Sequence, residues 1–79
     1  MNSASVTDDL HGKNTYQAKV AIDAALRKAK GVYRIRIVHG FNHGTELRDF
    51  VRGEYKNARG VHRLDCSESG ATTLILREY

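Results

Sequence analysis

Apolar and polar positions along this 79-residue chain alternate in some stretches and recur at helical spacing in others. Residues 6–12, VTDDLHG, place Val6, Asp8 and Leu10 on one face and Thr7, Asp9 and His11 on the other. This predicts a short strand ending at Gly12, with Leu10 turned into the core. In residues 14–31 the period changes, and Ala18, Ile22, Ala25, Leu26 and Ala29 form the apolar stripe of a helix. Asn14 and Gln17 have the spacing of a capping box, and Gly31, after Lys28 and Lys30, is a stop signal. Alternation returns in residues 32–40, VYRIRIVHG, where Tyr33, Ile35 and Ile37 oppose Arg34 and Arg36. Such a strand belongs to a sheet covered by helices on one side and open to water on the other. Residues 44–60 predict a second helix with Leu47, Phe50, Val51 and Tyr55 on its buried stripe, weakened by Gly53. Residues 61–66, VHRLDC, and 71–78, ATTLILRE, read as strands joined by SESG, a polar connection suited to a hairpin.

The predicted order is β-α-β-α-β-β, an α/β two-layer sandwich. Right-handed crossovers make the first connections parallel, and the hairpin makes the last pair antiparallel, so the sheet is mixed. Residues 1–5 are small and polar and predict a flexible N-terminus, with residues 6–79 as a single domain.

So short a chain buries only about 60% of the surface its unfolded form exposes, which favours a shallow surface site over a deep cavity. No apolar run is long enough to span a membrane, and the opening MNSASVTDD lacks the features of a signal peptide. The single cysteine, Cys66, has no partner for an internal disulfide. A cytoplasmic location with no membrane partner is the expectation. Charge sharpens the picture. The net charge is +4, but between Arg27 and Arg63 there are ten Lys or Arg against three acids, Glu46, Asp49 and Glu54. That local excess points to a polyanionic partner, RNA or DNA.

Two stretches carry candidate chemistry. On a strand, Asp9 and His11 leave the same face roughly 6.5–7 Å apart, where a carboxylate can orient an imidazole. The plainer alternative is that Asp9 caps the following turn and His11 merely ends the strand. The second stretch delivers His39 at the carboxyl end of its strand, followed by GFNHG and a helix that starts near Thr45. Ligands bind at such corners in open α/β sheets, and Gly40, Asn42 and Gly44 tolerate the left-handed backbone of an anion-binding nest. A simple β-α turn with Thr45 as N-cap is the alternative. Parallel pairing of the first two strands would bring His11 and His39 together beside Asp9. Two imidazoles can deprotonate a 2′-hydroxyl and protonate a leaving oxygen near neutral pH. Histidines with a carboxylate also suit a divalent metal, although no recognised ligand spacing assigns a metal-binding residue. Arg34 and Arg36 read either as a solvated surface or as a nucleic-acid track that Arg52, Lys56 and Arg59 extend. Tyr33, Phe50 and Tyr55 read as core, and His62 and Cys66, sharing a face with Leu64, as structural.

DDLHG, IRIVHGFNHGTELRDFV and GATTLIL occur in this order between residues 6 and 76. Together they resemble the small MutS-related (Smr) domain, which carries Leu-Asp-Leu-His-Gly, His-Gly-x-Gly-x-Gly and Gly-Ala-Thr motifs. The resemblance implies a four-stranded mixed sheet with two helices on one face, like the C-terminal domain of bacterial translation initiation factor three. It also implies nucleic-acid binding and, as in several members, endonuclease activity that nicks DNA or cleaves RNA, some of it at stalled ribosomes. Asp9 and His11 match the first motif, His39, Gly40 and Gly44 the second, Arg48 a basic position of the second helix, and Gly70, Ala71 and Thr72 the third. The chain departs from the pattern at Asp8, where leucine is usual, and at Asn42, where a loop glycine is usual. Phe41 replaces a residue that is often basic, and its ring suits stacking on an unpaired base.

Two functions follow. One is an Smr-like endonuclease in which Asp9 orients His11 as general base or acid and His39 is the second acid–base group or a phosphate ligand. The other is a non-catalytic RNA- or DNA-binding module in a nucleic-acid or ribosome-associated complex. Under either, the loop Gly40, Phe41, Asn42, His43 and Gly44 holds the phosphate backbone, and Arg34, Arg36, Arg48 and Arg52 add basic contacts.

Overall fold

The computed structural model describes residues 5–40 and 45–77. Along the chain come β1 (Ser5–Asp9), α1 (Thr15–Arg27), β2 (Arg34–Val38), α2 (Glu46–Glu54), β3 (Arg63–Asp65) and β4 (Ala71–Ile75). This is the predicted order. The capping box is present: Gln17 N–H donates to Asn14 Oδ1 at 2.7 Å, and Asn14 N–H to Gln17 Oε1 at 3.0 Å. These bonds satisfy two backbone donors that the first turn of α1 would otherwise leave unpaired.

The element ends differ from the expected ones in instructive ways. β1 begins at Ser5, inside the segment expected to be flexible, and stops at Asp9 rather than Gly12. Residues 10–13 instead close a β-turn, with Lys13 N–H on Leu10 O at 3.1 Å. Its third residue is Gly12 at φ +81°, a left-handed conformation that costs a residue without a Cβ nothing. α1 ends at Arg27, short of Gly31, and α2 ends at Glu54, short of residue 60.

The sheet runs in the order β1-β2-β4-β3. β1 pairs parallel with β2, while β4 lies antiparallel to both β2 and β3. The sheet is therefore mixed, as expected. Local pattern did not reveal that the last strand inserts between β2 and β3. Burial explains its choice of place, because Ala71, Thr72, Leu74 and Ile75 are each at most 1% exposed, which only a central strand allows. Leu10, Ile35, Ile37 and Leu74 from one side of the sheet pack with Ala18 and Ile22 of α1 and with Val51 and Tyr55 at α2. Both helices thus cover the same sheet face.

Tyr55 also fastens the two helices to each other. Its hydroxyl donates to Asp23 Oδ1 at 2.7 Å, and Lys19 Nζ lies 3.1 Å from Asp23 and 3.2 Å from Glu54. The Tyr55 hydrogen bond, followed by Lys19, holds the Asp23 carboxyl below its ordinary value. A depressed folded-state pKa stabilises the protein above the unfolded carboxyl's titration range, and that contribution is lost as pH falls through the folded value. Tyr55→Phe is therefore expected to lower stability by about 1–2 kcal/mol at pH 7. In urea unfolding, the gap to the parent should narrow once pH drops below about 3.9.

Candidate functional site

Strand pairing brings the three motifs to one edge. Asp9 lies in register with Val38, so β1 and β2 end together, and Val38 faces Ala71, so β4 begins there. At that edge the Gly70 carbonyl accepts from His39 N–H at 3.1 Å and from Gly40 N–H at 2.9 Å. Gly40 has φ +71°, and a Cβ built on it would lie 3.3 Å from His11 Cβ. The first motif therefore packs directly on the backbone of the second, where a larger residue would be both strained and crowded.

The Asp9–His11 pair arises from a turn, not from strand alternation. Because β1 stops at Asp9, His11 occupies the second position of the 10–13 turn and folds back on the carboxylate. Asp9 Oδ1 accepts from His11 Nδ1 at 2.5 Å and from His11 N–H at 3.2 Å. The His11 hydrogen bonds hold the Asp9 carboxyl below its ordinary value. A carboxylate that accepts from Nδ1 fixes the tautomer with the proton on that nitrogen, so the neutral ring presents an unprotonated Nε2. The side chains are 58% and 66% exposed, so both are open to solvent.

His39 is placed quite differently. Its residue is 5% exposed, and both ring nitrogens are engaged. Nδ1 donates to Gly40 O at 3.1 Å, while Nε2 lies 2.9 Å from Thr72 Oγ1. Thr72 Oγ1 in turn accepts from Arg52 Nε at 2.8 Å, so its proton is free to go to His39. The result is one directed chain, Arg52 to Thr72 to His39 to the Gly40 carbonyl. Burial, and then the charges of Arg52 and Arg48, push the His39 pKa down and keep the ring neutral. The sequence expects His39 as a second acid–base group or phosphate ligand; the structure places it as a buried imidazole with both nitrogens occupied, fastened to the Gly40 carbonyl. Continued alternation from Ile35 and Ile37 carries this signal, since it turns residue 39 toward the helices.

The basic residues do not form one track. Arg34 is exposed on the open face, as alternation predicts. Arg36 shares that face, but its fork is held by Glu68, with Nε–Oε2 at 2.9 Å and Nη2–Oε1 at 2.7 Å. Arg48 pairs with Asp49 at 3.2 Å. Arg52 lies on the helix side and ties down the β3–β4 connection through Thr72, Glu68 O at 2.9 Å and Ala71 O at 3.3 Å. The calls on Phe41, Asn42, His43 and Gly44 fall outside the described residues. Among the described residues, no three His, Cys, Asp or Glu side chains are grouped to hold a metal ion. Thr72, which the sequence places in the third motif without a role, joins Arg52 of α2 to His39, and Glu68, which sequence reasoning missed, occupies Arg36.

These features define a small α/β domain with a carboxylate–imidazole pair at the carboxyl edge of two parallel strands. No protein-family model matches the sequence, and no curated protein matches it. Among solved structures, the crystal structure of the Smr domain of Thermus thermophilus MutS2 matches with a TM-score of 0.81 at 25% identity. The match covers 92% of this chain and 99% of that one. The chain has the Smr-domain fold.

Thr72→Val keeps the side-chain shape but removes the hydroxyl between Arg52 and His39. Stability should fall by about 2–3 kcal/mol, since the buried His39 ring and the half-buried Arg52 each lose a bond, while Thr72→Ser should retain most of it. Denaturant unfolding, with NMR of the His39 ring to report its orientation, checks both.

Proposed function

We propose that this Smr-fold domain binds RNA or DNA at the shared edge of β1, β2 and β4 and cleaves a phosphodiester there. The observation that carries the proposal is the Asp9–His11 contact. It orients a solvent-accessible imidazole with its basic nitrogen outward, against the glycine of a loop whose family counterpart is glycine-rich. Asp9 fixes the tautomer and stabilises the imidazolium that forms, and His11 Nε2 is the general base. On RNA, Nε2 takes the proton of a 2′-hydroxyl, the 2′-oxygen bonds to phosphorus, and the bond to the 5′-oxygen breaks. The leaving oxygen takes a proton from water, and the imidazolium returns its proton to the hydroxide left behind. On DNA the same base activates water. His39 acts as a positioning residue.

A second reading has its own observation. With His39 buried, His11 is the one accessible imidazole at the edge among the described residues, which suits a domain that binds nucleic acid without cutting it, as part of a nucleic-acid or ribosome-associated complex.

Labelled single-stranded RNA, structured RNA and plasmid DNA, with divalent metal or with chelator, separate the two. His11→Ala should reduce cleavage by about 100-fold or more while changing binding less than about twofold, and Asp9→Asn should produce a smaller loss. Binding by the parent with no cleavage of any substrate would establish the second reading.

A further inference from the structure

We infer that the groove between α2 and β3 is a second phosphate site, which seats the sugar–phosphate backbone of a nucleic-acid strand continuing from the Asp9–His11 edge. The groove has a volume of about 700 Å³. Arg52 and Lys56 line it from the α2 side, and His62 and Arg63 from the β3 side. The acid among the lining residues is Asp49. Its carboxylate is already engaged, accepting from Thr45 Oγ1 at 2.9 Å and from Arg48 at 3.2 Å. By lining residues alone, Arg52, Lys56 and Arg63 outnumber the one acid.

Arg52 gives that excess a fixed address. Its Nε and Nη2 donate to a hydroxyl and two carbonyls, all of them neutral, and among the described residues no carboxylate pairs with it. Guanidinium groups that are half-buried are ordinarily paired with an anion. Here three bonds to neutral groups immobilise the cation, and Asp49, the groove carboxylate that feels its charge, is hydrogen-bonded to Thr45 and Arg48 instead, the arrangement of a preorganised anion site rather than of a structural ion pair. Of the five N–H donors of Arg52 its bonds take three, which leaves the two on Nη1 for a phosphate oxygen. Continuity selects a polynucleotide over an acidic peptide. The Thr72 hydroxyl that receives Arg52 is the same one that reaches His39, so the anchor of the groove also belongs to the catalytic edge. His62, read from sequence as structural, becomes a contact residue in this arrangement.

The inference rests on the nucleic-acid reading above, and two probes keep their failures apart. Inorganic pyrophosphate, titrated into isotopically labelled protein, should shift the backbone NMR signals of His62, Arg63 and Cys66. A fluorescein-labelled oligouridylate, followed by anisotropy, should bind Lys56→Gln/Arg63→Gln roughly tenfold more weakly at low salt, with a salt slope flatter by about 1.4, or about 0.7 per lost contact. Lys30→Gln, in the turn after α1, should change affinity less than about twofold. No shift with pyrophosphate overturns the site. Equal oligouridylate binding by the parent and the double variant overturns the groove as its seat and leaves the edge reading standing. Pyrophosphate shifts without oligouridylate binding by the parent overturn the polynucleotide occupant together with the proposed function. Equal competition by polyglutamate overturns the preference for phosphate.

Discussion

The buried hydroxyl of Thr72 connects the helix layer to the edge where the motifs meet. It accepts from Arg52 on α2 and reaches His39 at the end of β2. A hydroxyl has one proton and two lone pairs, so it can take a bond from a permanent donor and still give one to an imidazole. Arginine is such a permanent donor, which leaves the direction of the chain no freedom. His39 must then accept at Nε2 and donate at Nδ1, and the carbonyl that receives its proton is Gly40's. The backbone packed against His11 is in this way held from the far side of the sheet. The central position of β4 is a condition of the whole arrangement, because only there does Thr72 lie beneath α2 and beside β2 at once.

Much of this was legible locally. Period-two alternation placed Ile35 and Ile37 on the helix side, and the Asn14–Gln17 spacing marked the start of α1. The three motifs identified the edge. What escaped was set by contacts distant in sequence. Nothing near residue 71 says that its strand will enter the middle of the sheet. Glu68 lies 32 residues from the Arg36 it binds. The strand-end error at Asp9 was of another kind. The alternation runs on through Leu10 to His11, but Gly12 lets the chain turn, and that turn, not the pleat, joins the carboxylate to the ring.

Electrostatics divides the arginines by what they touch. Arg36 spends both arms of its fork on a carboxylate, a bidentate pair among the stronger kinds of polar contact, yet a partly exposed one that salt and competing anions weaken. Arg52 is bound just as firmly but by uncharged groups. A count of basic residues treats the two alike. Only the identity of their partners separates a cation paired with a carboxylate from one held by neutral groups.

The bonds that shape the edge also differ in how far they reach along the chain. Asp9 binds both the backbone N–H and the ring of a residue two positions away. His39 depends on a residue 33 positions away, and that residue on another 20 away. The imidazole that faces solvent is thus oriented within three consecutive residues, while the Gly40 carbonyl beside it is held by the assembled fold. Loosening α2 would release that carbonyl and leave the carboxylate–imidazole pair intact. The domain therefore carries its carboxylate–imidazole pair as a local property of the chain and the anchoring of Gly40 as a global one, and substitution can alter either without the other.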